Sequence, residues 1–341
     1  MKHAKIFAVL LCVLCLFCLS AFSEEAQDVQ VIEKFKNVEE LIQKLGDDPA
    51  PVVDITVTSL SPANLRKLKE LYPQTTFLYR VRALKRHIAW DTDHLDLQYA
   101  EYKKIGTLTE IMDLLPNIRE LTTYGYVFTA EELDELKAAY PQVEKFNCKF
   151  KMAHHIIRTD LTAFCTRHAS YTENRHTEKD FAAFRHCPDL VALDVGHNAV
   201  TDLSFLDLLP KLRILILADN DFTDISPLAN QTELVYLELI NNRITDVSPL
   251  ANCKELIDLH IGFCDITDIT PLYGLEKLDR LWLAKNPLPQ EQIDHIRTLL
   301  PNATVNDTAL SAPTAEGWRQ GHPRYLKIVE IFGNDKYIPF P

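Results

Sequence analysis

Apolar and polar positions repeat with a fixed period through the second half of the chain. Leucines stand at Leu190, Leu212, Leu234, Leu256 and Leu278, 22 residues apart each time. Two further apolar columns follow at constant offset, Leu193, Leu215, Leu237, Leu259, Leu281 and Val195, Leu217, Leu239, Ile261, Leu283. Asn198, Asn220, Asn242, Cys264 and Asn286 close the units, so LxxLxLxxN/C reads five times over. Alternation through LxL predicts a short strand with one apolar side. A single unit cannot bury that side alone, so the units must stack. Each asparagine turns the chain, and its amide can satisfy backbone groups of the neighbouring coil, as a buried polar side chain requires. Behind the strands come TDLSFL (201–206), TDISPL (223–228), TDVSPL (245–250) and TDITPL (267–272). There a hydroxyl residue can cap a short helical turn, and Pro227, Pro249 and Pro271 suit its first position, where a missing N–H costs nothing. Tight turns are therefore expected on the convex side.

Upstream the grammar loosens. LRKLKELYPQTTFLYRV, LTEIMDLLPNIRELTTYG and LDELKAAYPQVEKFNCKF each give an amphipathic run, a proline and a strand, so helices replace the tight turns. HLDLQY (94–99) and IIRTDL (156–161) fit degenerate strands of further coils, or inserted loops. VEELIQKL (38–45) carries apolar residues at helical spacing and suits a cap over the first coil.

The five strict units resemble the 22-residue leucine-rich repeats of internalin-like bacterial surface proteins over roughly residues 187–306. The resemblance implies an α/β solenoid: a parallel β-sheet arc with short helices and turns on its convex side. It implies binding rather than catalysis, with specificity in surface residues and not in the leucines. The segment from Gly317, GWRQGHPRYLKIVEIFGNDKYIPF, resembles tails that follow such repeats in secreted proteins of anaerobic Gram-positive bacteria. Its Trp318, Tyr325, Ile328, Val329, Ile331 and Phe332 offer an apolar cover for the last coil.

At the start, Lys2, His3 and Lys5 precede an unbroken apolar stretch from Ile6 to Phe22, the pattern of a secretory signal cleaved after Ser23. The expected organisation is a signal peptide (1–23), an N-terminal helical cap (24–50), irregular repeats with longer helices (51–186), regular repeats (187–308) and a C-terminal cap (309–341). A secreted or cell-surface monomer follows, with no membrane insertion once the signal is removed.

Composition narrows the chemistry. Only nine glycines occur in 341 residues and none pair into a phosphate-cradling loop. A formal charge of −12 without a basic run excludes a nucleic-acid partner. Five cysteines lie beyond the signal, at Cys148, Cys165, Cys187, Cys253 and Cys264, without CxxC spacing; one bridge can form, a full disulfide framework cannot. His154, His155 and His168 gather near Asp160 and Cys165, but in the least regular stretch of the chain, where fixed ligand geometry is not expected. A Cys165 and His168 nucleophile pair lacks an oxyanion element. No cofactor, metal or catalytic residue is assigned, and the chain reads as non-enzymatic; a hydrolase site in residues 150–180 is the weaker alternative.

The stronger signal lies between the leucines. Strand residues two apart share a face, and the outward face should line the concavity. One column there runs Ala192, Ile214, Tyr236, Asp258, Arg280; the other runs Asp194, Ile216, Glu238, His260, Trp282. Ile214, Ile216, Tyr236, Glu238, Asp258, His260, Arg280 and Trp282, with the neighbouring Phe263, are the expected partner-binding residues, aromatics among charges as in an interface hot spot. A protein ligand is expected ahead of a glycan, and a structural component of the cell envelope is the alternative.

Overall fold

A computed structural model describes residues 29–166, 175–308 and 317–340, in two compact units. The signal segment and His168 lie outside the described residues.

The first unit runs to Ile118, apart from residues 96–99. Strands β1 (Val29–Val31), β2 (Val52–Leu60) and β3 (Thr76–Ala83) are parallel, and β3 turns back antiparallel into β4 (Arg86–Ala89). Helix α1 (Val38–Leu45) connects β1 to β2 and α2 (Pro62–Leu71) connects β2 to β3, while α3 (Ile105–Met112) follows later in the chain. Asn37 caps α1 by accepting from the Glu40 N–H at 2.8 Å, and Ser61 caps α2. Leu41, Val53, Ile55, Leu65, Leu68 and Val81 are completely or almost completely buried, so the periodic apolar positions do form the core. β5 (His94–Asp96) falls in HLDLQY, at the boundary between the units.

In the second unit β6 (Glu120–Phe128) leads through α4 (Ala130–Ala139) to the parallel β7 (Lys145–Met152). Thr129 and Glu132 form a reciprocal capping box at the start of α4. β8 (His155–Arg158) then pairs antiparallel with β7. IIRTDL is thus the return arm of a hairpin rather than the strand of a further coil. The coil strand is the next segment, β9 (Ala163–Cys165), which lacks the leucine signature.

From β9 the sheet is parallel throughout: β10 (Ala192–Asp194), β11 (Ile214–Ile216), β12 (Tyr236–Glu238), β13 (Asp258–His260), β14 (Arg280–Trp282) and β15 (Thr304–Asn306). Partners in β10 to β14 are offset by the 22-residue period, Ala192 against Ile214, Tyr236, Asp258 and Arg280 in turn. Amides form the ladder at four of the five positions. Asn220 Nδ2 donates to the Val195 and Leu217 carbonyls at 3.1 Å, and its Oδ1 accepts from Val200 N–H at 3.0 Å. Asn242 and Asn286 repeat the pattern, Asn198 Nδ2 donates to the Val195 carbonyl and to the Thr166 hydroxyl, and the Cys264 thiol points at the Leu239 and Gly262 carbonyls. All five described cysteines are free thiols.

After α5 (Glu178–Phe181), convex connections are short 3-10 turns, among them Ser204–Leu208, Ser226–Asn230, Ser248–Asn252 and Thr270–Gly274, until α6 (Gln290–Leu299) ends the series. Their caps differ from expectation. The hydroxyls do not accept from the turn; the preceding aspartates do, Asp224 Oδ1 from Ser226 N–H at 2.8 Å while Ser226 Oγ donates to Asp224 Oδ2. Asp202, Asp246 and Asp268 do the same. A carboxylate has acceptor capacity for both donors, so the Asp of each TD pair supplies the cap. One periodic feature was invisible beforehand: His197, Asp219, Asn241, Phe263 and Lys285, each just before the ladder position, have positive φ.

Candidate functional site

The two outward columns of β10 to β14 are in register, but most of their residues do not face solvent. The C-terminal segment crosses them: Trp318, Ile328, Ile331, Phe332 and Phe340 pack with Ala163, Ala192, Ile214, Tyr236 and Trp282 in one buried cluster. Its helix α7 (Pro323–Gly333) begins with Pro323 at the first turn and puts Ile328, Ile331 and Phe332 on the covered side, while Val329 and Leu326 stay exposed. The tail therefore covers the inner face of the sheet, where an end cap had been expected, because its apolar stripe fits the aromatic column.

Trp318 is the centre of this contact. Its ring stacks on Tyr236 with centroids 5.9 Å apart and planes 3° from parallel, and meets Trp282 edge-on at 5.3 Å. Arg280 lies over the indole at 5.6 Å. Arg324 grips Asp258 with two nitrogens at 2.8 Å each and also reaches Asp279. Tyr337 N–H donates to Thr162 Oγ1 at 2.8 Å, and Phe340 sits against Tyr236.

Beneath the tail a short polar chain survives burial. Tyr236 donates its hydroxyl to Glu238 Oε2 at 2.8 Å, and His260 Nδ1 faces Glu238 Oε1 at 3.7 Å. Burial alone would raise the Glu238 pKa, but His260 and the Tyr236 hydroxyl hold it below the usual carboxylate range. Burial, reinforced by the Glu238 charge, pushes Tyr236 well up. Asp258 is fully buried and is pushed up to about 6 by burial, with Arg324 opposing.

Among the expected binding residues, Ile214, Tyr236, Glu238, Asp258, His260 and Trp282 are thus buried, which corrects their reading as exposed; Ile216, Arg280 and Phe263 are half-buried. Phe263 stands outside the covered cluster, on a left-handed turn with φ 53°. Sequence reasoning missed Trp318, Arg324 and Phe340 as residues of this face. The helical spacing of Tyr325, Ile328 and Phe332 was the available signal, but nothing in it says which surface the stripe meets.

A second constellation lies around the β7–β8 hairpin. The nucleophile pair has no described geometry, and Cys165 instead donates its thiol to Asp194 Oδ2 at 3.3 Å. His154 and His155 are joined by His176: the three can offer ligand atoms that all lie within 4.8 Å of one another. His155 Nε2 and His176 Nε2 are 3.1 Å apart, and His176 is 2% exposed. Burial, with the His154 ring beside it, holds His176 below the ordinary imidazole range. The signal that would have found it is the repeat itself: His176 stands 22 residues before Asn198, and Asn198 Oδ1 accepts its N–H at 2.9 Å.

A family model for leucine-rich repeats, two copies, matches residues 210–252. The chain carries leucine-rich repeats. The chain is similar to internalin C2 of Listeria monocytogenes at 21% identity, over 74% of this chain and 99% of that one, with a TM-score of 0.37. It is similar to an internalin F of the same species at 23% identity, over 77% and 76% of the two chains, with a TM-score of 0.36. The leucine-rich repeat ectodomain of the Arabidopsis receptor kinase HAESA, solved with a peptide hormone ligand, is 19% identical over 57% of this chain and 26% of that chain, with a TM-score of 0.32. No curated protein matches the sequence. Among the described residues, no helix is long and apolar enough to cross a membrane.

Proposed function

We propose that the chain is a secreted, non-enzymatic protein-binding module whose concave sheet face receives a polypeptide segment bearing an aromatic and a basic side chain. The carrying observation is the occupant it has in cis: an indole seated between Tyr236 and Trp282, and a guanidinium on the buried Asp258. Aromatic anchors beside a desolvated charge are what interface hot spots consist of. On this reading the partner competes with the tail, so apparent affinity is reduced by the fraction of molecules that are closed. A polypeptide suits the face better than a glycan, since the carboxylates under the tail are matched by a cation. Export rests on Lys2, Lys5 and the apolar run that follows them.

The test compares three full-length forms against surface or host proteins: the native chain, a Trp318→Ala, Arg324→Ala form with its tail released, and that form with Tyr236→Ala and Trp282→Ala added. Capture should rise at least tenfold on tail release and vanish when the anchors are removed. Equal capture by all three would refute the concave-face reading and move attention to Phe263 and the convex edge. Cell fractionation separates a soluble binder from a structural envelope component.

A further inference from the structure

We propose that His154, His155 and His176 form a binding site for one divalent transition-metal ion of the zinc class. In a tetrahedral zinc site, Zn–N distances of 2.0–2.1 Å put neighbouring ligand nitrogens about 3.3 Å apart. The His155 and His176 Nε2 atoms, at 3.1 Å, already stand at one edge of such a tetrahedron. With the ligand atoms of all three within 4.8 Å of one another, the third nitrogen needs a displacement of about 1.5 Å at most, within reach of imidazole rotation on the exposed His154.

Tautomer and position are prepared by the surrounding fold. Asp180 Oδ2 lies 3.4 Å from His176 Nδ1, so that nitrogen carries the proton and the Nε2 lone pair is directed at His155. A carboxylate behind a ligating histidine is the usual second support of such sites. Asp180 is itself held, because it caps the start of α5 (Glu178–Phe181) by accepting from Thr177 N–H at 3.0 Å. The His176 backbone is pinned from both sides, its N–H by Asn198 Oδ1 and its carbonyl by Ala199 N–H, each at 2.9 Å. On the hairpin, Ala153 takes φ 50° to turn the chain, which places His154 and His155 side by side. Phe164 meets the His155 ring edge-on at 5.4 Å and Phe181 lies 5.7 Å from His176, so aromatic walls restrict both imidazoles.

Three neutral imidazoles suit zinc, nickel and copper(II) and offer nothing to calcium or magnesium. Three nitrogens also leave one position of a tetrahedron for water or a further ligand. The ion would clip the β7–β8 hairpin to the coil that begins at His176, joining elements that the chain brings together only on folding. This inference stands independently of the concave face.

Full-length chain, prepared without a histidine tag and stripped with chelator, is titrated with Zn²⁺ against a chromophoric competitor and with Co²⁺ by absorption. One ion per chain should bind, with a tetrahedral Co²⁺ spectrum free of thiolate charge transfer. His155→Ala and His176→Ala should each weaken Zn²⁺ at least tenfold. Asp180→Asn, which keeps an acceptor oxygen for the Thr177 N–H, should weaken it about tenfold by removing the negative charge that supports the ligating imidazole. Circular dichroism of the metal-free variants establishes that they are folded; if the alanine forms are not, Asp180→Asn and the wild-type Co²⁺ spectrum decide. Absence of binding, a thiolate or octahedral Co²⁺ spectrum, or unchanged affinity in the variants would overturn the assignment.

Discussion

Replacing Arg324 by Met removes the guanidinium, which also lies 6.0 Å over the Trp318 ring, and keeps an apolar stem of similar length. The cost should depend on pH with a definite sign. Asp258 is fully buried with its pKa pushed up to about 6 from 3.8, by burial first and with Arg324 acting against it; Asp279 raises it further and Arg280 lowers it. A raised carboxyl pKa means that the favourable contribution is complete below the unfolded value and is lost as pH climbs through about 6. At pH 8 the native chain therefore carries an ionised carboxylate under its tail, at a net cost of about 3 kcal/mol (roughly 1.36 kcal/mol per pKa unit) that Arg324 already limits. Taking away the cation at pH 8 leaves a buried charge uncompensated, worth about 3–5 kcal/mol. At pH 5 Asp258 is largely neutral in both proteins, and the variant loses only a hydrogen bond, about 1–2 kcal/mol. Urea unfolding and tryptophan emission at pH 5, 6.5 and 8 measure the difference. The variant should show a lowered midpoint and red-shifted emission from Trp282 and Trp318 at pH 8, with both nearly restored at pH 5. The same loss at every pH would refute the role given to the Arg324–Asp258 pair.

Other expectations follow from the same packing. Leu237→Ala, at a completely buried spine position, should cost about 2–5 kcal/mol in a urea titration, while the exposed Glu233→Ala should change little; equal shifts would contradict the register. Phe263→Gly relieves a bulky residue at φ 53° but gives up half-buried apolar surface, so stability should change by less than about 1 kcal/mol in either direction while partner capture falls if Phe263 lies on the binding surface. His186, 1% exposed, has its pKa pushed down to about 4, by burial first and then by Lys137. Its neutral form contributes stability above pH 6.5 that is lost as pH falls towards 4, by up to about 3 kcal/mol, so His186→Gln should flatten that part of the stability–pH curve. An unchanged slope would refute the assignment.

The repeat register was legible because each column is fixed by the same physical requirement in every unit, a buried leucine or a ladder amide. Strand pairing then follows with no further information: Ile214 against Tyr236 against Asp258 is simply the period. The caps were half legible. Asp and Ser both stood in TDxSPL, and only geometry tells which of them accepts and which donates. The hairpin of β7 and β8 was not legible, since IIRTDL has the alternation of a coil strand and antiparallel pairing is decided by the tight turn at Ala153. Burial of the aromatic columns was the largest omission. Solvent exposure of a strand face depends on a segment more than 30 residues beyond the last leucine strand, and Trp318 carries no local mark that it belongs on Tyr236. His176 escaped because a histidine at an asparagine position does not look like part of the ladder, although the period leads straight to it.

Hydrogen exchange of the α7 amides, read by mass spectrometry in the full-length chain, tests the central claim most directly. If the tail is held on the sheet face by Trp318 and Arg324, amides of residues 326–333 should be protected in the native chain, and Tyr236→Ala with Trp282→Ala should strip that protection while leaving β10 to β14 protected. Exchange of α7 at the rate of an unstructured peptide in the native chain, or protection indifferent to the two aromatic replacements, would contradict the account.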